Sequence, residues 1–241
     1  MAARLLYQED AYLREFDAIV TRVDGSKVYL DATAFHPRPS GGLDADTGFL
    51  YVGSAGVVRV VDTVVDGDDV AHVVDDVDGI VSGVRVHGVI DWERRYAMMR
   101  LHTAAHVVAG IVYRGIGARI TGSYISSENA RMDFEISRGD WRELLKEAVE
   151  EANSVLSKCI DVKVYWLPRD QALSIPGIVK LADKLPPGID VLRVVEIPGV
   201  DIQADGAPHV KNTCEVGGIR VLKLENRGRR RKRLYFVLAA T

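Results

Sequence analysis

Residues 92–115 read WERRYAMMRLHTAAHVVAGIVYRG, and this stretch decides how the chain is divided. Met98, Leu101, Ala105, Val108 and Val112 recur at alternating three- and four-residue steps, which is one face of a helix. His102 and His106 flank that stripe at i and i+4, so a helix places both imidazoles on one side, one turn apart. N-terminal to this stretch the period changes from helical to alternating. FDAIVTRVDGSKVYLDATAF (16–35) alternates apolar and polar residues around Asp24-Gly25, a hairpin turn signal. FLYVGSAGVVRVVDTVVDGDDVAHVVDD (49–76) repeats the pattern around Gly56 and Asp66-Gly67, and VSGVRVHGVID (81–91) adds a short strand. Many short strands with Gly/Asp turns indicate a small β-barrel or sandwich. Between them, AFHPRPSGGLDADTGFL (34–50) is a long polar insertion containing Ser40, Gly41 and Gly42. Long loops in compact domains are often functional, and a plain surface loop is the alternative.

C-terminal to residue 91 helices and strands mix. DWRELLKEAVEEANSVLSKC (140–159) is strongly amphipathic, with Asp140 as the expected N-cap and Glu143 completing a capping box. IDVKVYWLP, VLRVVEIPG, GGIRVLKLEN and RLYFVLAA read as strands, and PRDQALSIPGIVKLADKL as helical in parts, broken at Pro176. The expected fold class is α+β. An N-terminal small β-barrel domain over residues 1–90, with its glycine-rich loop, precedes an α+β domain over 91–241 whose helices pack on a mostly antiparallel sheet.

The chain has 241 residues, 47% hydrophobic and 27% charged, an ordinary globular composition. No apolar run approaches the roughly 18 residues of a membrane span. The first residues, MAARLLYQEDAYLREF, turn acidic within ten positions and do not read as a secretory signal. Two cysteines, Cys159 and Cys214, supply neither a disulfide framework nor a CxxC metal knuckle, so a cytoplasmic location is expected. The net charge of −3 hides an asymmetry. Up to Ile90 there are 7 Lys+Arg against 15 Asp+Glu, and from Asp91 onward 24 against 19. A polyanionic partner would therefore meet the back half, most strongly at RGRRRKR (227–233) with Arg229, Arg230, Arg231 and Lys232. Arg94, Arg95 and Arg100 are weaker candidates for phosphate, and a solvated turn is the plain alternative for the run.

A second histidine signal lies about a hundred residues after the first. In ADGAPHV, Asp205 and His209 are again four apart, within a loop rich in Gly and Pro. His102, His106, Asp205 and His209 together make a shell that suits one zinc ion. An HxxxH spacing alone is more often coincidence, and the acid-and-histidine loop brings the two readings level. HTAAH lacks the glutamate of HExxH, which disfavours a protease using that residue as general base.

Taken together, RRYAMMRLHTAAHVVAG, the MDF of residues 132–134 and DGAPHVKNTCEVGGIRVLKLENRG resemble the alanyl-tRNA editing proteins. These AlaX proteins are free-standing relatives of the alanyl-tRNA synthetase editing domain. The family pattern joins HxxxH on a helix to a CxxxH loop, usually CGGTHV, then T-x-E-[IV]-G and a strand with Lys and Glu. Here these read HTAAH, DGAPHV, TCEVG and VLKLE. LDATAFHPRPSGGLDADTGFL resembles the D-x-T-x-F-Y-P-x-G-G-G-Q-x-x-D-x-G-x-L element in the β-barrel of the longer members. Asp205 stands where the family has cysteine, GGTHV becomes GAPHV, and GGGQ becomes PSGG.

The resemblance implies a zinc-dependent aminoacyl-tRNA hydrolase that removes serine from mischarged tRNA(Ala), with glycine as a second candidate. A pocket sized for alanine rejects serine only about a hundredfold, whereas a second site that hydrogen-bonds the extra hydroxyl selects it. Thr121 is the candidate partner for that hydroxyl and Ser123 the alternative, although both also read as plain strand residues. Water attacks the ester carbonyl, and two roles stay open for zinc: activating that water or positioning the aminoacyl group. Rival readings are a tRNA-binding module with a degraded metal site, an editing hydrolase for tRNA(Thr), and a metal-dependent hydrolase of small esters or amides.

Overall fold

The computed structural model describes residues 2–53, 56–178 and 189–239. They form two compact units, Met1–Ala97 and Met98–Thr241. In the first unit, β1 (Arg4–Leu5), α1 (Leu6–Glu9), β2 (Glu15–Asp24), β3 (Lys27–Leu30), β4 (Ala32–Thr33), β5 (Gly48–Val52), β6 (Gly56–Asp66), β7 (Asp69–Val74) and β8 (Arg85–Ile90) follow in order. β2, β3, β7, β6, β5 and β8 close into a six-stranded barrel. The alternation read from the sequence is what fills it. Phe16, Ala18, Val20, Val28, Leu50, Val60, Val74 and Val86 are all buried in one cluster. The Asp24-Gly25 and Asp66-Gly67 turns join β2 to β3 and β6 to β7, with Gly25 and Gly67 at φ 56° and 63°, where a side chain would be strained.

The long polar insertion is not a loose loop. Ala34, Phe35, His36, Leu43, Ala45 and Asp46 are buried. Arg95 holds the segment in place. Its Nε donates to both Asp46 carboxylate oxygens at 3.0 and 2.9 Å, and its Nη2 donates to the Ala34 carbonyl at 2.6 Å. Arg95 and Asp46 are fully buried, so each needs the other. This corrects the expectation that Arg95 offers its charge to phosphate.

Helix α2 (Trp92–Ile116) starts in the first unit and continues into the second. There it is followed by β9 (Ile120–Ile125), β10 (Ala130–Glu135), α3 (Trp141–Leu156), β11 (Lys163–Pro168), α4 (Arg169–Leu173), β12 (Val191–Ile197), β13 (Asp201–Ala204), a short 3-10 turn (Thr213–Val216), β14 (Ile219–Asn226) and β15 (Arg231–Leu238). β14, β15, β10 and β9 make a four-stranded antiparallel sheet, and β11, β12 and β13 a three-stranded one. α3 buries Trp141, Leu145, Ala148, Val149, Ala152 and Leu156 on one stripe. Asn153 ties it to β14, exchanging two 2.8 Å bonds with the Ile219 backbone. An N-terminal barrel and an α+β unit with helices on antiparallel sheet are thus what the structure contains. The segment expected to be broken at Pro176 is helical over Arg169–Leu173, and its residues 179–185 lie outside the described residues.

Two local expectations are corrected. Asp140 makes no side-chain cap at the start of α3, because its carboxylate pairs with Arg138 at 3.0 and 2.6 Å. A capping box does form at the 3-10 turn, between Asn212 and Glu215. The second correction concerns the cysteines, which are joined as a Cys159–Cys214 disulfide with Cα atoms 4.6 Å apart. The two stand 55 positions apart in sequence, so nothing local announces that the end of α3 meets the 3-10 turn. The bridge closes a loop that contains both β13 and the Asp205–His209 segment. Closing 55 residues constrains the unfolded chain by about 4 kcal/mol on the chain-entropy account. The native oxidised chain is expected to resist thiol alkylation, and reduction to expose two thiols and lower stability by about that amount. Two reactive thiols before reduction, with an unchanged unfolding curve after it, would contradict the bridge.

Candidate metal centre

α2 presents His102, Thr103 and His106 to the segment that follows β13, and that segment carries Asp205 and His209. Each of the two histidines and two loop residues offers one ligand atom, and the four atoms lie within 4.8 Å of one another. His102 Nε2 and His106 Nε2 are each 3.4 Å from Asp205 Oδ2. The His209 ring stacks on His102 with centroids 4.0 Å apart and meets His106 edge-on at 4.5 Å. All three imidazoles are buried.

The far nitrogen of each ring lies beside an oxygen. His102 Nδ1 lies 3.2 Å from the Pro208 carbonyl, His209 Nδ1 is 3.1 Å from the Thr103 hydroxyl, and His106 Nδ1 is 3.0 Å from Asp201 Oδ2. A proton kept on Nδ1 by an oxygen leaves the Nε2 lone pair for a metal. His209 Nε2 is buried without a hydrogen-bond partner among the described residues, an arrangement that is costly unless a further group fills it, and His106 Nδ1 meets Asp201 as an ion-pair contact rather than an aligned hydrogen bond. The loop is itself clamped. Arg193 Nη1 donates to the Asp205 and Ala207 carbonyls at 2.8 and 3.0 Å, and the Ala207 amide donates to Asp205 Oδ1 at 2.6 Å.

The electrostatics of the metal-free cluster divide the three imidazoles, leaving His102 and His209 neutral and His106 carrying a proton that a bound cation would displace. Burial lowers the pKa of His102 and, more strongly, of His209, which keeps both neutral and able to donate a lone pair. Burial also opposes charge on His106, but Asp201 and Asp205 on either side outweigh it and push that pKa up to about 9. Burial works against the charge on Asp205, yet His102 and His106 hold its carboxyl well below the usual range. Three imidazoles and one carboxylate with an orphaned inward nitrogen fit a tetrahedral divalent ion.

Thr121 and Ser123 stand on β9. Thr121 is exposed and donates to the Asp133 carbonyl at 3.4 Å, while Ser123 lies across from the buried Met132. Among the described residues, the hydrogen bonds and ion pairs of the cluster involve neither. Ser40, Gly41 and Gly42 form a tight turn in the first unit, closed by the Leu43 amide donating to the Ser40 carbonyl at 3.0 Å. The basic run spans the β14–β15 turn and the first residues of β15. Arg229 and Arg231 are exposed, and Arg230 pairs with Glu135. Lys232 points inward, its Nζ donating to Asn226 Oδ1 at 2.8 Å and the Gly228 carbonyl at 2.7 Å. Arg100 bonds the Val216 carbonyl at 2.7 Å. Asp133, which alternates with the apolar Met132 and Phe134, is buried and paired with Arg233 at 2.6 and 2.8 Å.

The chain is 50% identical over 235 residues to the alanyl-tRNA editing protein AlaX-M of Saccharolobus solfataricus, spanning 97% of this chain and 98% of that protein. The chain belongs to the alanyl-tRNA editing protein family. An AlaX-M of Methanosarcina acetivorans is 40% identical over 242 residues, with 97% of this chain and 98% of that protein covered. The alanine–tRNA ligase of Pyrococcus abyssi is 37% identical over 224 residues, which is 92% of this editing-family chain but 24% of the ligase. Residues 192–235 match the threonyl and alanyl tRNA synthetase second additional domain. That segment holds Arg193, Asp201, Asp205 and His209, so one half of the cluster lies inside the matched domain.

Titration with zinc is expected to show one ion per chain and a rise in unfolding temperature. At a hundredfold excess over Kd the gain is about 2.7 kcal/mol. The gain should shrink on acidification, because each His ligand must be neutral to bind. His209→Ala should lose it, and an equal zinc-dependent rise in that variant would remove His209 from the centre.

Proposed function

We propose that this chain is a trans-editing hydrolase that deacylates mischarged tRNA(Ala), releasing serine, with glycine as a second substrate to be tested. The observation that carries the reading is the His102–His106–Asp205–His209 cluster, its three imidazoles buried, in a chain that aligns over 97% of its length with an AlaX-M protein. In this reading residues 91–241 form the zinc-binding editing domain and 1–90 the β-barrel domain with its glycine-rich turn.

One zinc ion would be held by His102, His106, Asp205 and His209. When bound it would supply Lewis acidity that eases attack of water on the ester carbonyl. The chain's own residues supply position and charge. Asp205 carries the single negative charge of the ligand set, which its cysteine counterpart would also carry as thiolate, but through a harder donor. Ser123 and Thr121 on β9 are the candidates to meet the serine hydroxyl. A site that satisfies this hydroxyl leaves a polar group unpaired when alanine enters, which protects the correct ester. Arg229 and Arg231, exposed at the β14–β15 turn, can meet phosphate. Lys232 supports that turn from inside.

The zinc-loaded chain is expected to clear Ser-tRNA(Ala), to leave Ala-tRNA(Ala) intact and to act less on Ser-tRNA(Thr). His102→Ala and His209→Ala should abolish the activity. Intact Ser-tRNA(Ala) under conditions where a known editing enzyme hydrolyses it would defeat the proposal, and preference for the threonine tRNA would redirect it. Loss of rate with rising salt would separate this reading from hydrolysis of free esters, which involves no phosphate contacts.

A further inference from the structure

We infer that Asp201, which is not a member of the ligand cluster, is the positioning residue of the centre, acting on the metal through His106. The inference rests on the metal reading above. The three imidazoles are anchored unequally. His102 leans on a backbone carbonyl, His209 on a hydroxyl, and His106 on a carboxylate. Asp201 Oδ2 is 3.0 Å from His106 Nδ1, and its side chain is fully buried. Asp205 approaches the same ring from the other nitrogen, at 3.4 Å from Nε2. The two carboxylates therefore bracket His106, one on the side facing the ion and one behind it.

The fold builds this contact deliberately along the chain. Gly110 sits one turn beyond His106 on α2. A Cβ there would come within 2.3 Å of the Val200 carbonyl and 3.2 Å of the Asp201 Cβ. Only glycine lets the β12–β13 turn come this close to the helix, and that approach brings Asp201 to His106. Gln203, two residues on and on the same face of β13, donates Nε2 to Asp201 Oδ2 at 2.8 Å and fixes the carboxylate.

A carboxylate behind a ligand imidazole does three things. It keeps the proton on Nδ1, aims Nε2 at the ion, and makes the ring a stronger donor. It also balances charge. A divalent cation with three neutral imidazoles and Asp205 leaves a net +1 in a buried site, which Asp201 cancels, and a buried uncompensated charge is costly.

The test is zinc affinity of the full chain by competition with a chromophoric chelator, together with the visible spectrum of the cobalt-loaded form. Asp201→Asn is expected to weaken zinc binding by roughly 10–100-fold and to alter the cobalt spectrum. The cobalt spectrum separates this role from a merely structural one, which would leave the spectrum of the loaded chain unchanged. Gly110→Ala, which pushes the turn away, should weaken binding in the same direction, and Asp201→Glu should retain more affinity than Asp201→Asn. Should Asp201→Asn not fold, the Gly110→Ala and Asp201→Glu affinities decide the matter. Wild-type affinity and an unchanged cobalt spectrum in the folded variants would overturn the role of Asp201 alone. Absence of zinc binding by the wild-type chain would overturn the metal reading and this role with it.

Discussion

The second unit depends on one contact, in which the α2 face bearing His102, Thr103 and His106 lies against the Asp201–Val210 segment. An imidazole can give a lone pair to an ion only when its other nitrogen keeps the proton. Here each Nδ1 finds an oxygen from the opposing segment or from the helix itself. The Nε2 atoms are thereby turned toward Asp205. The histidine spacing on the helix supplies half of the site, and the path of the loop supplies the rest.

Such a site has to be enforced, since burying three imidazoles and two carboxylates removes them from water. Arg193 does part of this by donating into the loop at Asp205 and Ala207. The Cys159–Cys214 bridge closes the chain around the same segment. The cation of Arg193 also lies near the loop without joining the donors, and it contributes to the lowered pKa of His209. In the first unit, the Arg95–Asp46 pair plays a comparable part for the long insertion.

Much of this was legible in sequence because it rests on periodicity. Alternation in residues 16–35 and 49–76 marks the barrel strands, and the apolar stripe of 98–112 marks α2. HTAAH and DGAPHV contain all four clustered residues. The parts that were not legible depend on contacts between residues far apart in the chain. Cys159 and Cys214 carry no spacing motif, and only the folded path of the chain between them, 55 positions apart, brings them together. Asp133 alternates like a solvated strand residue, yet Arg233 on the neighbouring strand buries it. Asp140 has the right position for a cap, but Arg138 is a stronger local partner than the backbone amides. Arg193 did leave a signal, as one of two charges, with Glu196, within the otherwise apolar strand VLRVVEI, and so did the alternating polar residues Asp201 and Gln203.

In the function proposed above, Asp205 is a zinc ligand where the family pattern has cysteine. X-ray absorption at the zinc edge of the loaded chain measures this directly. A first shell of nitrogen and oxygen only, at about 2.0–2.1 Å, is expected. A sulfur scatterer at about 2.3 Å would contradict it, as would a shell unchanged by Asp205→Ala.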